Sequence, residues 1–134
     1  MTSEYNSEQL NSEISKWIKS LMHPQESSIQ WIREIIMNCG YPTEEKIKWN
    51  SPNFTVNGED RITLRIQPVN CFQIILHLGA KKSLRDLATE FSTLSPLIEW
   101  KSGDRGIITL SNKSDIKNIE AEINKILSKW LNVV

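Results

Sequence analysis

Two neighbouring segments of this chain alternate apolar and polar residues, and this alternation restricts the fold more than any other feature. The segments run from residue 61 to 67 and from 71 to 78, with Pro68 in the turn between them. Because successive side chains of a strand point to opposite faces, a period of two predicts a pair of antiparallel strands. One face of this pair is apolar and consists of Ile62, Leu64, Ile66, Phe72, Ile74, Leu76 and Leu78. The other face is mostly polar and consists of Arg61, Thr63, Arg65, Gln67, Cys71, Gln73, Ile75 and His77.

Helical periodicity precedes these strands. Apolar residues three or four positions apart predict a first helix over about residues 7–21, with Ser7 as its N-cap. A second helix is predicted to open at Pro24 and to end before Gly40, because proline suits a first helical turn and glycine a left-handed C-terminus. Thr43 and the two glutamates that follow it are typical of a further N-cap with acids in a short first turn.

The second half of the chain shows the same mixture of patterns. Residues 83–91 are weakly helical, and residues 97–100 and 106–110 predict another hairpin. The last helix has the clearest period and covers about residues 116–130. The candidates for its N-cap are Asn112 and Ser114.

The resulting order of elements is α-α-β-β-β-(α)-β-β-α, in which short turns join most of the strands. Short connections imply an antiparallel sheet, and amphipathic helices can cover only its apolar face. The sequence therefore predicts an α+β fold, a two-layer sandwich with helices on one face of an antiparallel sheet and the other face open. With 134 residues, no internal repeat and no long linker, a single domain over residues 1–134 is expected.

The composition narrows the classes of partner. Sixteen Lys and Arg residues balance sixteen Asp and Glu residues, so the chain lacks the basic character of a nucleic-acid-binding domain. No segment is long and apolar enough to span a membrane, and the N-terminus lacks the basic and apolar regions of a signal peptide. A cytoplasmic protein with no nucleic-acid or membrane partner is therefore expected, and its two cysteines should remain thiols.

The residues that most often carry catalysis or bind metals are few and scattered. Cys39 lies at the C-terminus of a predicted helix, where the negative end of the helix dipole raises the pKa of a thiol instead of activating it. His23 and His77 lack the spacing of a transition-metal site, and Cys71 is roughly 20 Å from His77 along an extended strand. We therefore expect a non-enzymatic protein, with no catalytic residues and no assigned metal ligands.

Trp49 is the aromatic residue whose position core packing explains least. It lies in a turn rich in proline and asparagine, outside any helical period. Its ring either plugs the joint between helices and sheet or lines a site for a partner or ligand. Lys48 beside it, or Lys81 and Lys82 before a predicted helix, could bind an anion. The alternative function is therefore a small-molecule or anion-binding domain with a pocket beside Trp49.

The segment from Glu45 to Phe54 resembles the signature of the YdhG-like family, a bacterial domain of unknown function. The usual form of that signature is Lys-Trp-Gly-x-Pro followed by an aromatic residue. Here Trp49, Pro52 and Phe54 match, and Asn50 stands where glycine is common. Asparagine tolerates a positive φ better than most residues, so the same turn can form with it.

The resemblance continues through residues 75–79, 103–108 and 115–116, and it covers most of residues 24–131. It implies a compact α+β fold. Some members of the family are described as frataxin-like iron chaperones, and frataxins meet their partners through an open sheet face. The resemblance therefore implies iron as a transient cargo without a resident cofactor, and a protein partner on the open sheet face.

The function expected from the sequence is thus a non-enzymatic cytosolic binding module, and its most specific form is a frataxin-like intracellular iron chaperone. Trp49, Pro52, Arg65 and His77 are predicted to border the functional surface. Trp49 and Pro52 belong to the turn without helical period, whereas Arg65 and His77 lie on the polar face of the predicted sheet.

Overall fold

The computed structural model of the chain describes residues 11–40, 43–69, 71–79, 86–91, 94–110 and 119–132. Its helices are α1 (Ser12–Ser20), α2 (Glu26–Met37), α3 (Leu87–Phe91) and α4 (Glu120–Leu131). Its strands are β1 (Thr43–Lys48), β2 (Ser51–Val56), β3 (Glu59–Arg65), β4 (Gln73–Leu76), β5 (Glu99–Ser102) and β6 (Arg105–Thr109). None of the helices in these ranges is long and apolar enough to cross a membrane.

The six strands form one antiparallel sheet in the order β1-β2-β3-β4-β6-β5. Two-residue turns join β1 to β2 and β2 to β3. The hairpin predicted from residues 97–100 and 106–110 is formed by β5 and β6, and β6 pairs with β4. The predicted α+β class with an open antiparallel sheet is therefore confirmed.

One hydrophobic core fills the space between the sheet and the helices. The seven residues of the predicted apolar face are all at most 4% exposed, so this face is confirmed as buried. On the opposite face Ile75 and His77 are buried as well. Buried residues of the helices belong to the same core, among them Ile18 of α1, Ile32 of α2 and Trp130 of α4. The helices cover one face of the sheet, as predicted, and Arg65 is exposed on the other face.

The helix boundaries differ by a few residues from those predicted. α1 begins directly after Asn11, whose side-chain oxygen accepts hydrogen bonds from the next turn and makes this residue the N-cap. α2 begins at Glu26, shortly after Pro24. Gly40 has a φ of 87°, as expected of a glycine that follows a helix. Some predicted residues lie outside the described ranges. These include the caps Ser7, Asn112 and Ser114, residues 8–10 of the first helix, 83–85 of the weak helix and 116–118 of the last helix.

The main correction concerns residues 43–45, which belong to β1 and not to the first turn of a helix. β1 pairs with β2 over its full six residues. Glu45 is buried because its carboxylate accepts two hydrogen bonds from Arg33 of α2. The ion pair joins two different elements, so the local sequence around Glu45 does not indicate it. For this reason, acidic residues that are typical of a helix N-terminus lie here in a strand. The described elements therefore follow the order α-α-β-β-β-β-α-β-β-α.

Candidate functional site

The sheet face opposite the helices holds a cavity of about 420 Å³, within the size range of small-molecule sites. Strands β2, β3, β4 and β6 contribute to it, together with the turn between β1 and β2. Its described lining consists of Trp49, Asn50, Ser51, Thr63, Arg65, Gln67, Ile75, His77, Gly79 and Arg105. The polar face expected from the sequence is therefore concave beside Trp49.

Three of the four predicted site residues, Trp49, Arg65 and His77, line this cavity. Pro52, the fourth, is buried within β2. Since Ser51 lines the cavity and side chains alternate along a strand, Pro52 lies on the face that the helices cover. Pro52 therefore does not border the cavity.

Trp49 has a strained backbone and an exposed side chain. With Asn50 it forms the turn between β1 and β2, and their φ angles of 54° and 57° both lie in the left-handed region. Such turns favour Asn-Gly, the pair found in the next turn, where Asn57 and Gly58 have φ angles of 53° and 81°. A bulky residue in this conformation costs roughly 1–2 kcal/mol. Trp49 is 76% exposed, so the interpretation of its ring as a plug between helices and sheet is wrong.

Lys48 contacts the ring of Trp49 from one side. Its Nζ lies 4.4 Å from the centroid of the ring, within the distance of a cation–π interaction. The same Nζ donates a hydrogen bond of 2.9 Å to Oδ2 of Asp60. The ammonium group of Lys48, which the sequence suggested as an anion ligand, is thus engaged by a carboxylate and an indole.

A bulge in β3 determines which face of the sheet Asp60 occupies. Phe54 of β2 pairs with Ile62 of β3. The next residue of β2, Thr55, pairs with Asp60, so Arg61 is the extra residue of the bulge. In a regular ladder Arg61 would occupy the position opposite Thr55, and Asp60 would turn toward the helices. The bulge therefore brings the carboxylate of Asp60 to the cavity side of the sheet.

A chain of hydrogen bonds connects this carboxylate to His77. Asn53 Nδ2 donates to Asp60 Oδ1 at 2.7 Å, and Thr63 Oγ1 donates to Asn53 Oδ1 at 2.7 Å. The backbone N–H of Gly79 donates to His77 Nδ1 at 2.9 Å, so the proton of the neutral ring is on Nε2. His77 Nε2 then donates to Thr63 Oγ1 at 2.8 Å. The network is consistent with neutral His77 in a single tautomer.

The electrostatic surroundings keep His77 neutral and Asp60 ionised. Burial lowers the pKa of His77, and the charges of Arg105, Lys48 and Arg61 lower it further, while the carboxylate of Asp60 acts in the opposite direction. Burial by itself would raise the pKa of Asp60, but hydrogen bonds and positive charge from its neighbours outweigh burial and lower that pKa.

Two arginines give the cavity its charge. Arg65 and Arg105 are both exposed, and none of the described lining residues carries a carboxylate. Nη1 of Arg65 donates a hydrogen bond of 3.3 Å to Oε1 of Gln73. A guanidinium group has five N–H donors and can bind carboxylate and phosphate groups through two parallel hydrogen bonds. The cavity is therefore chemically suited to an anion.

Arg105 is the charged lining residue that the sequence did not indicate. It reaches the cavity because β6 pairs with β4, where Leu76 lies opposite Gly106. The next residues along these two antiparallel strands are His77 and Arg105. The alternation of residues 106–110 indicated a strand beside Arg105, but no local pattern indicates which strand β6 pairs with.

The remaining candidates from the sequence are a cysteine and two lysines. Burial raises the pKa of the Cys39 thiol, although a hydrogen bond from Ser128 acts in the opposite direction, and this agrees with a structural thiol. Lys81 and Lys82 lie outside the described residues. Within the part of the chain that the structure describes, no three His, Cys, Asp or Glu side chains are grouped to hold a metal ion.

Membership of the YdhG-like family stays a prediction. Comparison of the chain with protein-family models, with curated proteins and with solved structures finds no match.

Proposed function

We propose that this protein is a non-enzymatic binding module that holds a small anionic ligand in the cavity beside Trp49. The observation that carries the proposal is the presence of Arg65 and Arg105 in a lining whose described residues include no carboxylate. Positive charge that is concentrated in a concave surface attracts anions and raises their local concentration.

The order of the strands explains how the arginines would act together. Arg65 is on β3 and Arg105 is on β6, and β4 lies between these strands. Arg65 pairs with Gln73 at the start of β4, and Arg105 lies beside His77 just after its end. A ligand seated over β4 would therefore have one arginine on each side, at opposite ends of the strand.

Ile75, which is 8% exposed, and neutral His77 would form the base of the site. The carboxylate of Asp60 lies beside Gly79 at this base, and its charge is paired with that of Lys48.

Titration with inorganic phosphate and with citrate at constant ionic strength tests the proposal, with two-dimensional NMR spectra reporting on the backbone amides. We expect the largest chemical-shift changes at Arg65, His77 and Arg105. Arg65→Gln and Arg105→Gln should each weaken binding about tenfold, because a hydrogen bond to a charged group contributes about 1.5–3 kcal/mol and exposure reduces this. Lys125→Gln is the control, since Lys125 is an exposed residue of α4 in the helical layer.

The proposal fails if Arg65→Gln and the wild-type protein bind phosphate and citrate equally well. It also fails if the amides around Lys125 shift as much as those of the cavity, because such shifts would report only nonspecific attraction.

The iron-chaperone role, the cytoplasmic location and a protein partner on the open face stay predictions. Anaerobic titration with ferrous iron tests the iron-chaperone role. Absence of binding tighter than millimolar would rule this role out. Because Arg65 and Arg105 repel a cation, an iron site on this face should bind more tightly when either is replaced by glutamine. The same substitutions should weaken phosphate binding, so the two functions give opposite results.

A further inference from the structure

The fold itself gains little from the indole of Trp49. The residue is 76% exposed, so it buries little apolar surface, and its φ of 54° is unfavourable for a bulky side chain. The turn formed by Asn57 and Gly58 shows that the same type of backbone is reached elsewhere in this chain with residues that suit it. A strained residue that the core does not require points to a function.

The indole is also held in place at the edge of the cavity. Lys48 Nζ lies 4.4 Å from the ring centroid and is itself hydrogen-bonded to Asp60. Trp49 lines the same cavity as Arg65 and Arg105. The site therefore combines an accessible aromatic ring with two guanidinium groups.

We propose that the ligand is a planar aromatic anion, whose ring stacks on Trp49 while its acidic group pairs with Arg65 and Arg105. This inference rests on the proposed function, and it names the class of the ligand. Two aromatic rings in contact attract each other beyond the effect of their apolar area. Aromatic carboxylates and nucleoside monophosphates share the required chemistry, a flat ring joined to an anionic group.

Matched pairs of ligands separate the effect of the ring from the effect of the charge. Benzoate and cyclohexanecarboxylate carry the same charge and are similar in size, and AMP is compared with ribose 5-phosphate. We expect the wild-type protein to bind the aromatic member of at least one pair about two- to tenfold more tightly in an NMR titration. The pair with the larger ratio distinguishes an aromatic carboxylate from a nucleotide.

Two substitutions of Trp49 then connect this preference to the ring. Trp49→Asn removes the ring and introduces a residue that tolerates the left-handed region, so the turn is preserved. It should bring both affinity ratios to about one. Trp49→Phe retains an aromatic ring and should retain the preference.

Equal affinities within both pairs for the wild-type protein would overturn the aromatic class. So would a preference that survives in Trp49→Asn. In either case the proposed function stands as long as phosphate binding depends on Arg65. If phosphate binding does not depend on Arg65, the proposed function itself fails.

Discussion

Replacement of Glu45 by glutamine would leave the guanidinium group of Arg33 buried without its counter-ion. The side chains of Arg33 and Glu45 are 0% and 2% exposed. They form a bidentate pair, in which Nε donates to Oε2 and Nη2 donates to Oε1, both at 2.5 Å. An amide nitrogen cannot accept a hydrogen bond, so glutamine can replace only one of these acceptors and carries no charge.

The structure sets the size of the expected effect. Removal of one partner from a buried ion pair costs about 3–5 kcal/mol, because the other charge stays desolvated. Arg33 keeps Ser15 Oγ, at 2.8 Å, and Gln30 Oε1 as acceptors, and these dipoles stabilise part of its charge. We therefore expect Glu45→Gln to lower the free energy of unfolding by about 3 kcal/mol. This is a large share of the roughly 5–15 kcal/mol that stabilises a native protein.

Urea unfolding near neutral pH, followed by far-ultraviolet circular dichroism, measures this loss. Glu44→Gln is the matched control, because Glu44 is the adjacent residue of β1 and is exposed. Its effect should stay within about 0.5 kcal/mol. Joint replacement of Arg33 and Glu45 by methionine removes both charges and should restore stability to within about 1 kcal/mol of the wild-type value.

A loss below about 1 kcal/mol for Glu45→Gln would refute this reasoning, because only a pair that water screens contributes so little. Equal losses in the single and double variants would also contradict it. That result would assign the effect at position 45 to packing and not to an uncompensated charge.

Two further changes test the network around His77. Burial lowers the pKa of His77, so as pH falls below the ordinary value of 6.5 the unfolded state takes up a proton before the native state does. The free energy of unfolding should therefore decrease with falling pH in this window, until the native ring is protonated as well. His77→Gln should remove this part of the pH dependence in urea unfolding, and an unchanged slope would contradict a buried neutral ring. Gly79→Ala would place a Cβ atom 2.8 Å from Oδ2 of Asp60 at a φ of 67°. We expect this change to cost about 1–3 kcal/mol in thermal unfolding, and an unaltered melting temperature would contradict the close approach.

The layers of the fold could be predicted because the apolar residues that form the core recur at the spacing of a strand or a helix. The alternation of residues 61–78 identified the buried face of two strands, and each residue on it is buried. β1 could not be predicted in the same way. The burial of Glu45 depends on Arg33, a residue of another element, so the local pattern of acids suggested a helix start instead.

The site could be predicted only in part, because some of its residues follow from local periodicity and others from contacts between distant segments. The alternation of side chains along a strand placed Arg65 and His77 on the polar face. Trp49 was identified as a candidate because it belongs to no helical pattern of apolar residues. Arg105 was missed because it joins the site through the pairing of β6 with β4. Asp60 was missed because the bulge at Arg61 reverses the face on which the preceding residue lies.

The sequence by itself determined which residues face the core and which face of the sheet stays polar, since both follow from the repeat of a strand or a helix. Only the tertiary structure decided that this polar face is concave and that Arg65 and Arg105 lie on either side of β4. Strand order results from the packing of all the elements together, and segments distant in sequence meet through contacts that no local pattern records.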